Sequence, residues 1–229
     1  MHHPLSSAPT TPPPGARPPR GSRQTAPRPS LESRLARLGL ALACATLLLG
    51  GCGAMQAQNP ASLLKPVNAV ADGGDARVML FGHDVVSYFT DGRHALGSPQ
   101  YTTVHEGVTF RFASAEHKAM FDREPAKYIP QYGGFCANGI AYGIPWGGDA
   151  DTWRIDNGKL YIFGGHGSKE AWELDMPRNL ALAERYWKDE VSGSNSFLQR
   201  SKRLVLRVPH YKSGEELARE VAAAKAKKS

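Results

Sequence analysis

Two pairs of short runs in the middle of the chain alternate apolar and polar positions around turns that contain glycine. In one of these runs, Val108, Phe110 and Phe112 fall on one face, and Thr109 and Arg111 fall on the other. Alternation with a period of two on either side of such a turn predicts a β-hairpin. The runs and turns are 101–105, 106–107 and 108–112 in the first hairpin, and 152–155, 156–158 and 159–163 in the second.

Helical patterns follow each of the two predicted hairpins. Ser114 precedes residues 115–123 and is expected to cap a helix there. Two more helices are predicted over residues 169–174 and 178–189, because apolar residues in the second of them recur at spacings of three and four. Hairpins packed with short helices predict a small α+β domain over residues 77–190.

The composition changes after residue 190. Residues 204–208 favour an edge strand, whereas Ser213-Gly214-Glu215-Glu216 is a capping box that opens an alanine-rich helix running to Lys228. Alanine offers little apolar surface for packing. We therefore expect residues 191–229 to form a basic helical tail that is largely solvated.

The beginning of the chain predicts export from the cytoplasm. Residues 1–30 contain nine of the 17 prolines, four arginines and no acid, a composition typical of a disordered leader. Either this leader is an unusually long positive region of a signal peptide, or translation starts nearer Leu31. Residues 31–51 are the predicted signal, and its apolar run 38–49 is too short to span a bilayer.

The signal ends in Leu49-Gly50-Gly51-Cys52, which resembles the bacterial lipobox, in which the cysteine is lipidated and becomes the first mature residue. Cys52 is the expected lipidation site; the alternative is ordinary cleavage nearby, which leaves Cys52 as a free thiol. Gly53 follows, and not the aspartate associated with inner-membrane retention. We therefore expect an outer-membrane lipoprotein facing the periplasm, with residues 52–76 as the tether between membrane and domain.

The positive charge lies at the two ends of the chain. Out of a formal net charge of +7, residues 1–51 carry +5 and residues 199–229 carry +6, which leaves −4 on the residues between them. A nucleic-acid-binding protein would place its positive charge on the folded domain. We expect no nucleic-acid partner, and the sequence identifies no protein partner.

The body of the chain resembles the exported branch of the YHS domain family. The resemblance rests on ordered motifs between Phe81 and Trp187. The matching segments are 84–89, 107–114, 125–128, 132–137, 153–155 and 158–161, followed by Trp172 and Pro177. The resemblance implies a compact fold related to small cysteine-rich metal-binding modules, some of which carry copper or other soft metals.

Three thiols of the cysteine-rich YHS relatives are replaced in this chain, by Ser87, Ala113 and His117. A site made of four thiolates is therefore excluded. Cys136 belongs to the motif of the exported branch and is the only thiol that remains after the predicted processing. It is either a buried, inert small hydrophobic residue or a thiolate ligand.

If Cys136 is a metal ligand, His117 is its expected partner. Met120 lies three residues after His117, so it shares the same helix face and would add a thioether, although it is equally suited to the core. Thiolate and imidazole together suit Cu(I) or zinc, so copper or zinc is the expected cofactor. His166 lies in a glycine-rich segment without phosphate-loop spacing and would line a pocket with Cys136 if the fold brings them together. Trp146 is a candidate ligand platform or a core residue.

Three classes of function follow from these residues. The first is a lipid-anchored periplasmic YHS-like module that binds a soft metal ion or a small ligand around Cys136. The second is an enzyme in which Cys136 is a nucleophile or redox thiol with a histidine as base, although no second cysteine is present to resolve an oxidised sulfur. The third is a structural envelope protein with no metal.

Overall fold

The computed structural model describes residues 66–228. The predicted leader, the predicted signal and the lipidation site at Cys52 lie outside this range, as do residues 52–65 of the predicted tether. Within it, helices and strands follow one another in a mixed arrangement, which confirms the predicted α+β fold class.

The first part of the described chain folds into a four-stranded sheet with the strand order β1-β2-β4-β3. The strands are β1 (Ala69–Asp72), β2 (Asp75–Met79), β3 (Ser98–His105) and β4 (Val108–Phe112). Strands β1 and β2 pair antiparallel, β3 and β4 form the first predicted hairpin, and β2 runs parallel to β4.

Strand β1 begins inside the segment predicted to be a tether, so the predicted boundary at residue 76 is wrong. The order of this segment is explained by a buried arginine on β4. The guanidinium of Arg111 is paired with Asp72 and with Asp75, the latter at 3.2 Å, and donates to the Asp72 carbonyl at 3.1 Å. This polar segment is therefore ordered by charges on a distant strand.

The second predicted hairpin is also present, formed by β5 (Asp149–Asp156) and β6 (Lys159–Phe163). The helices are α1 (Ser87–Thr90), α2 (Ala115–Arg123), α3 (Pro125–Tyr128), α4 (Ala137–Ile140), α5 (His166–Glu173), α6 (Met176–Tyr186), α7 (Ser196–Val205) and α8 (Gly214–Ala226). Ser114 Oγ accepts a hydrogen bond from the His117 N–H at 3.1 Å, which confirms the predicted cap of α2. None of the helices within residues 66–228 is both long and apolar enough to traverse a bilayer.

The core consists of three clusters of buried apolar side chains. In the first, Phe110 and Phe112 of β4 pack against Phe121 of α2. The second includes Phe163 of β6 and Trp172 of α5, and the third surrounds α6 near its C-terminal end.

Residues 204–208 do not form the predicted edge strand. They are the end of α7 and the turn after it. The helix starts at Asn195, whose side chain accepts hydrogen bonds from the N–H groups of Phe197 and Leu198 at 2.9 and 3.1 Å. A helix capped at that point continues through the β-branched and leucine residues that suggested a strand.

The last helix is not the solvated tail that its alanine content predicts. Helix α8 starts at the predicted capping box, in which Ser213 Oγ and the Glu216 carboxylate each accept from the other residue's N–H. It packs against α5, with Val221 buried and Lys225 paired with Glu170 at 2.7 Å. The tail is therefore part of the domain.

Candidate ligand-binding site

A cavity of about 670 Å³ lies between the glycine-rich segment 164–168 and helix α8. Apolar side chains of α8 line one side of it. The other side contains the Cys136 thiol, the Ser168 hydroxyl, the His166 imidazole and the Trp146 indole. Small-molecule sites commonly have this volume and combine an apolar lining with a few convergent polar groups. This cavity is the candidate site.

Cys136 is held between β6 and the first turn of α4. Its N–H donates to the Trp146 carbonyl at 2.9 Å, and its backbone forms a β-bridge with Ile162. Its Sγ lies 3.0 Å from Ser168 Oγ and accepts a hydrogen bond from the Gly139 N–H at 3.4 Å. The residue is only 2% exposed, as the first of the two alternatives for Cys136 requires, but its sulfur has polar partners and the residue lines the cavity.

Gly164 allows the neighbouring loop to approach this sulfur. A Cβ atom at this position would lie 3.1 Å from the Gly147 carbonyl oxygen and 3.7 Å from Cys136 Sγ. The following residue, Gly165, has a φ of +109°, which side-chain-bearing residues rarely adopt, and it leads directly into α5. The glycines therefore set the start of α5 against Cys136.

The first turn of α5 supplies two of the polar side chains. Ser168 faces the Cys136 sulfur, and His166 lines the cavity together with it, as the sequence suggested for His166. The role of Ser168 was not predicted, because a serine in a helix carries no sequence signal for a distant partner. Trp146 is half-buried, packs against the third core cluster and lines the same cavity, so both alternatives given for it hold in part.

Helix α8 supplies the wall that sequence reasoning missed. Leu217, Ala218 and Val221 line the cavity from this helix. The small alanine side chains, taken in the sequence as a sign of weak packing, leave space for a cavity where larger residues would fill it.

Two lysines at the edge of the cavity are already paired. Lys212 contacts both carboxylate oxygens of Glu220 at 2.6 Å, and Lys225 contacts Glu170 at 2.7 Å. Their charges are thereby compensated within the described structure. An anionic ligand would have to displace these carboxylates, so the lining favours a neutral or mainly apolar ligand.

His117 is placed in a different environment from Cys136. Its Nδ1 lies 2.6 Å from Oδ2 of the buried Asp84, and its Nε2 lies 3.3 Å from Thr90 Oγ1. Met120 packs against the first core cluster. The polar contacts of His117 share no residue with those of Cys136, so they lend no support to a common site for Cys136, His117 and Met120, which stays a prediction.

Among residues 66–228, no group of three or more His, Cys, Asp or Glu side chains is arranged to hold a metal ion. A structural zinc site uses four such ligands and a catalytic one three. Cu(I) binds soft donors such as thiolate and needs fewer of them. Cys136 and His166 are the soft-metal donor types that line the candidate cavity together.

Comparison with known proteins adds no relative: no protein-family model, curated protein or solved structure matches this chain. The resemblance to the YHS family therefore rests on the motifs given above.

Proposed function

We propose that this protein is a YHS-like binding module of the bacterial envelope, attached to the outer membrane through Cys52, that holds a small ligand in the cavity beside Cys136. One observation carries the proposal: a thiol, a hydroxyl, an imidazole and an indole line a single cavity whose other wall is apolar. This combination suits a compact, largely apolar ligand bearing one polar group that meets Cys136 and Ser168.

Binding is favoured over catalysis by the partners of the sulfur. A nucleophilic cysteine needs a base within hydrogen-bond reach. Cys136 Sγ instead contacts the Ser168 hydroxyl and the Gly139 N–H, and the hydrogen bonds described for it include no histidine. The arrangement therefore positions a thiol for contact with a ligand, without the Cys–His pair of a thiol enzyme.

A soft metal ion is the second candidate ligand of the same cavity. It is favoured by the thiol of Cys136 and the imidazole of His166 in one lining. Thiolate selects Cu(I) over harder ions, so copper is preferred to zinc. In this proposal His166 replaces His117 as the partner of Cys136.

The proposal is tested on purified residues 53–229, with folding checked by circular dichroism. N-phenyl-1-naphthylamine, an uncharged and mainly apolar aromatic dye, should bind at about one equivalent with enhanced fluorescence. Ala218→Trp places an indole in the cavity and should weaken binding at least about tenfold. Ala223→Trp is the matched control, because Ala223 lies exposed on the same helix and does not line the cavity.

Cu(I) titration against a competing chelator separates the two ligands. If the site takes the ion, Cys136→Ser and His166→Ala should each abolish Cu(I) binding, and His117→Ala should leave it intact. If the cavity takes an organic ligand, the Cys136→Ser variant should still bind the dye. No variant should then bind Cu(I). Dye binding that is unchanged by Ala218→Trp, together with absent Cu(I) binding, would refute the proposed function.

A further inference from the structure

Helix α7 turns its polar side toward the protein and its apolar side toward solvent. The buried Gln199 donates to the Gly143 carbonyl at 3.0 Å and to Glu190 at 3.1 Å. Arg203, 12% exposed in its side chain, pairs with Glu190, and Arg200 donates to the Pro145 carbonyl at 2.8 Å. A helix that only had to cover the core would be oriented the other way round.

The outward side of α7 carries a group of exposed apolar side chains. Phe197 and Leu198 are 54% and 61% exposed, and Leu204 and Val205, seven residues later and thus two turns along the same face, are 61% and 82% exposed. Leu206, directly after the helix, is 61% exposed as well. The other exposed large apolar residues of the described chain are scattered over distant positions. Single exposed apolar side chains are ordinary, but such a group marks an interaction surface.

The charges around this surface indicate what covers it. Residues 191–214 contain five basic residues and no acid; they are Arg200, Lys202, Arg203, Arg207 and Lys212. Glu190 compensates Lys202 and Arg203 in part. Arg207 lies exposed next to the apolar group, with its guanidinium 4.6 Å from the centre of the Tyr211 ring. An apolar face flanked by lysine and arginine is the composition of a helix that lies in a membrane interface.

We infer that α7 docks on an anionic phospholipid surface, with Phe197, Leu198, Leu204 and Val205 in contact with the acyl chains. A second copy of the chain fits less well, because it would bring one acid-free basic segment against another. Lipid phosphates instead complement the exposed Arg207 and the net positive charge of residues 191–214. The attachment is independent of the proposed lipid on Cys52 and of the ligand cavity.

The test uses the full chain, reconstituted into vesicles of phosphatidylcholine alone or with about one third phosphatidylglycerol. Amide hydrogen exchange is followed by mass spectrometry. Amides of residues 198–206 should exchange about fivefold more slowly on the anionic vesicles, and the difference should disappear at high salt. Helix α6 is the internal reference and should not change.

The double variant Leu204→Gln and Val205→Gln should lose this protection and remain folded, because both side chains are exposed. Leu96→Gln with Val104→Gln is the matched control, since these residues are each 68% exposed elsewhere on the domain. Equal exchange on neutral and anionic vesicles would overturn the inference. So would protection that appears on concentrating the protein without vesicles, which would assign the surface to a second copy.

Discussion

At the scale of single residues, Asp84 connects three segments of the domain. Its Oδ1 accepts from the Val86 N–H, and its Oδ2 accepts from the Ala113 N–H, both at 2.8 Å, and contacts His117. The side chain is fully buried, and a buried carboxylate is costly unless it is paired and hydrogen-bonded. His117 is therefore a structural partner of Asp84.

We predict that His117→Ala lowers the free energy of unfolding by about 2 kcal/mol, because it removes one partner of a buried carboxylate. Lys118→Ala is the control, since it removes only an exposed pair with Asp122 and should cost less than about 0.5 kcal/mol. Urea unfolding followed by tryptophan fluorescence measures both. If the two variants were equally stable, the Asp84–His117 contact would contribute nothing.

At the scale of secondary-structure elements, α8 both closes the candidate cavity and limits access to Cys136. The helix is held by its capping box, by the buried Val221 and by the Lys225–Glu170 pair. Elements attached through few buried contacts open more readily than the core. Access to the thiol should therefore depend on the stability of this one helix.

Ser213→Ala removes the cap of α8 and should destabilise that helix by about 1 kcal/mol. Because opening of α8 exposes the cavity, alkylation of Cys136 by iodoacetamide should become about fivefold faster. Ser201→Ala, on α7, is the control and should leave the rate unchanged, because its hydroxyl donates only to the Phe197 carbonyl within that helix. Equal alkylation rates in all three proteins would show that the thiol is reached without α8 opening.

At the scale of the whole molecule, the proposed attachment to the envelope depends on a sequence motif outside the described residues. We predict that Cys52→Ala releases the protein into the soluble periplasm or leaves it as an unprocessed precursor. Membranes should be washed at about 0.5 M salt before detergent partitioning, so that any electrostatic attachment through α7 is removed first. Partitioning identical to that of the unaltered protein after this wash would contradict a lipid on Cys52.

The whole domain should also lose stability in alkali. Burial, together with the charges of Asp151 and Asp84, raises the pKa of Tyr88, and burial together with Glu184 raises the pKa of Tyr132. In the unfolded chain both phenols ionise near a pH of about 10, so above that pH each of them keeps in the folded state a proton that it loses on unfolding. Burial raises the pKa of Tyr142 and Tyr161 in the same direction. Each such phenol should lower the free energy of unfolding by about 1.4 kcal/mol per pH unit.

Tyr88→Phe tests this assignment. The variant loses the hydrogen bond from the tyrosine hydroxyl to the Ala150 carbonyl, 2.7 Å long, at a cost of about 1 kcal/mol at neutral pH. Above a pH of about 10 its free energy of unfolding should fall less steeply, by about 1.4 kcal/mol per pH unit, because one contributing phenol is gone. Denaturant unfolding at several alkaline pH values measures the slope, and an unaltered slope would exclude Tyr88 as a cause.

The sequence by itself determined the features that depend on neighbours along the chain. Both hairpins, the Ser114 cap and the Ser213 capping box are present as predicted, and the helices α5 and α6 begin only slightly earlier than expected. Their signals are period-two alternation, turn glycines and capping side chains, all of which act within a few residues.

Only the tertiary structure decided which distant residues meet. Asp84 and His117 are 33 positions apart, Cys136 and Ser168 are 32, and Arg111 and Asp72 are 39. The expectation of His117 beside Cys136 came from residue types and not from such contacts. Packing of α8 on α5 and the outward apolar face of α7 likewise follow from the positions of whole elements. A local sequence pattern indicates that a side chain needs a partner, but only the tertiary structure determines which residue lies close enough to be that partner.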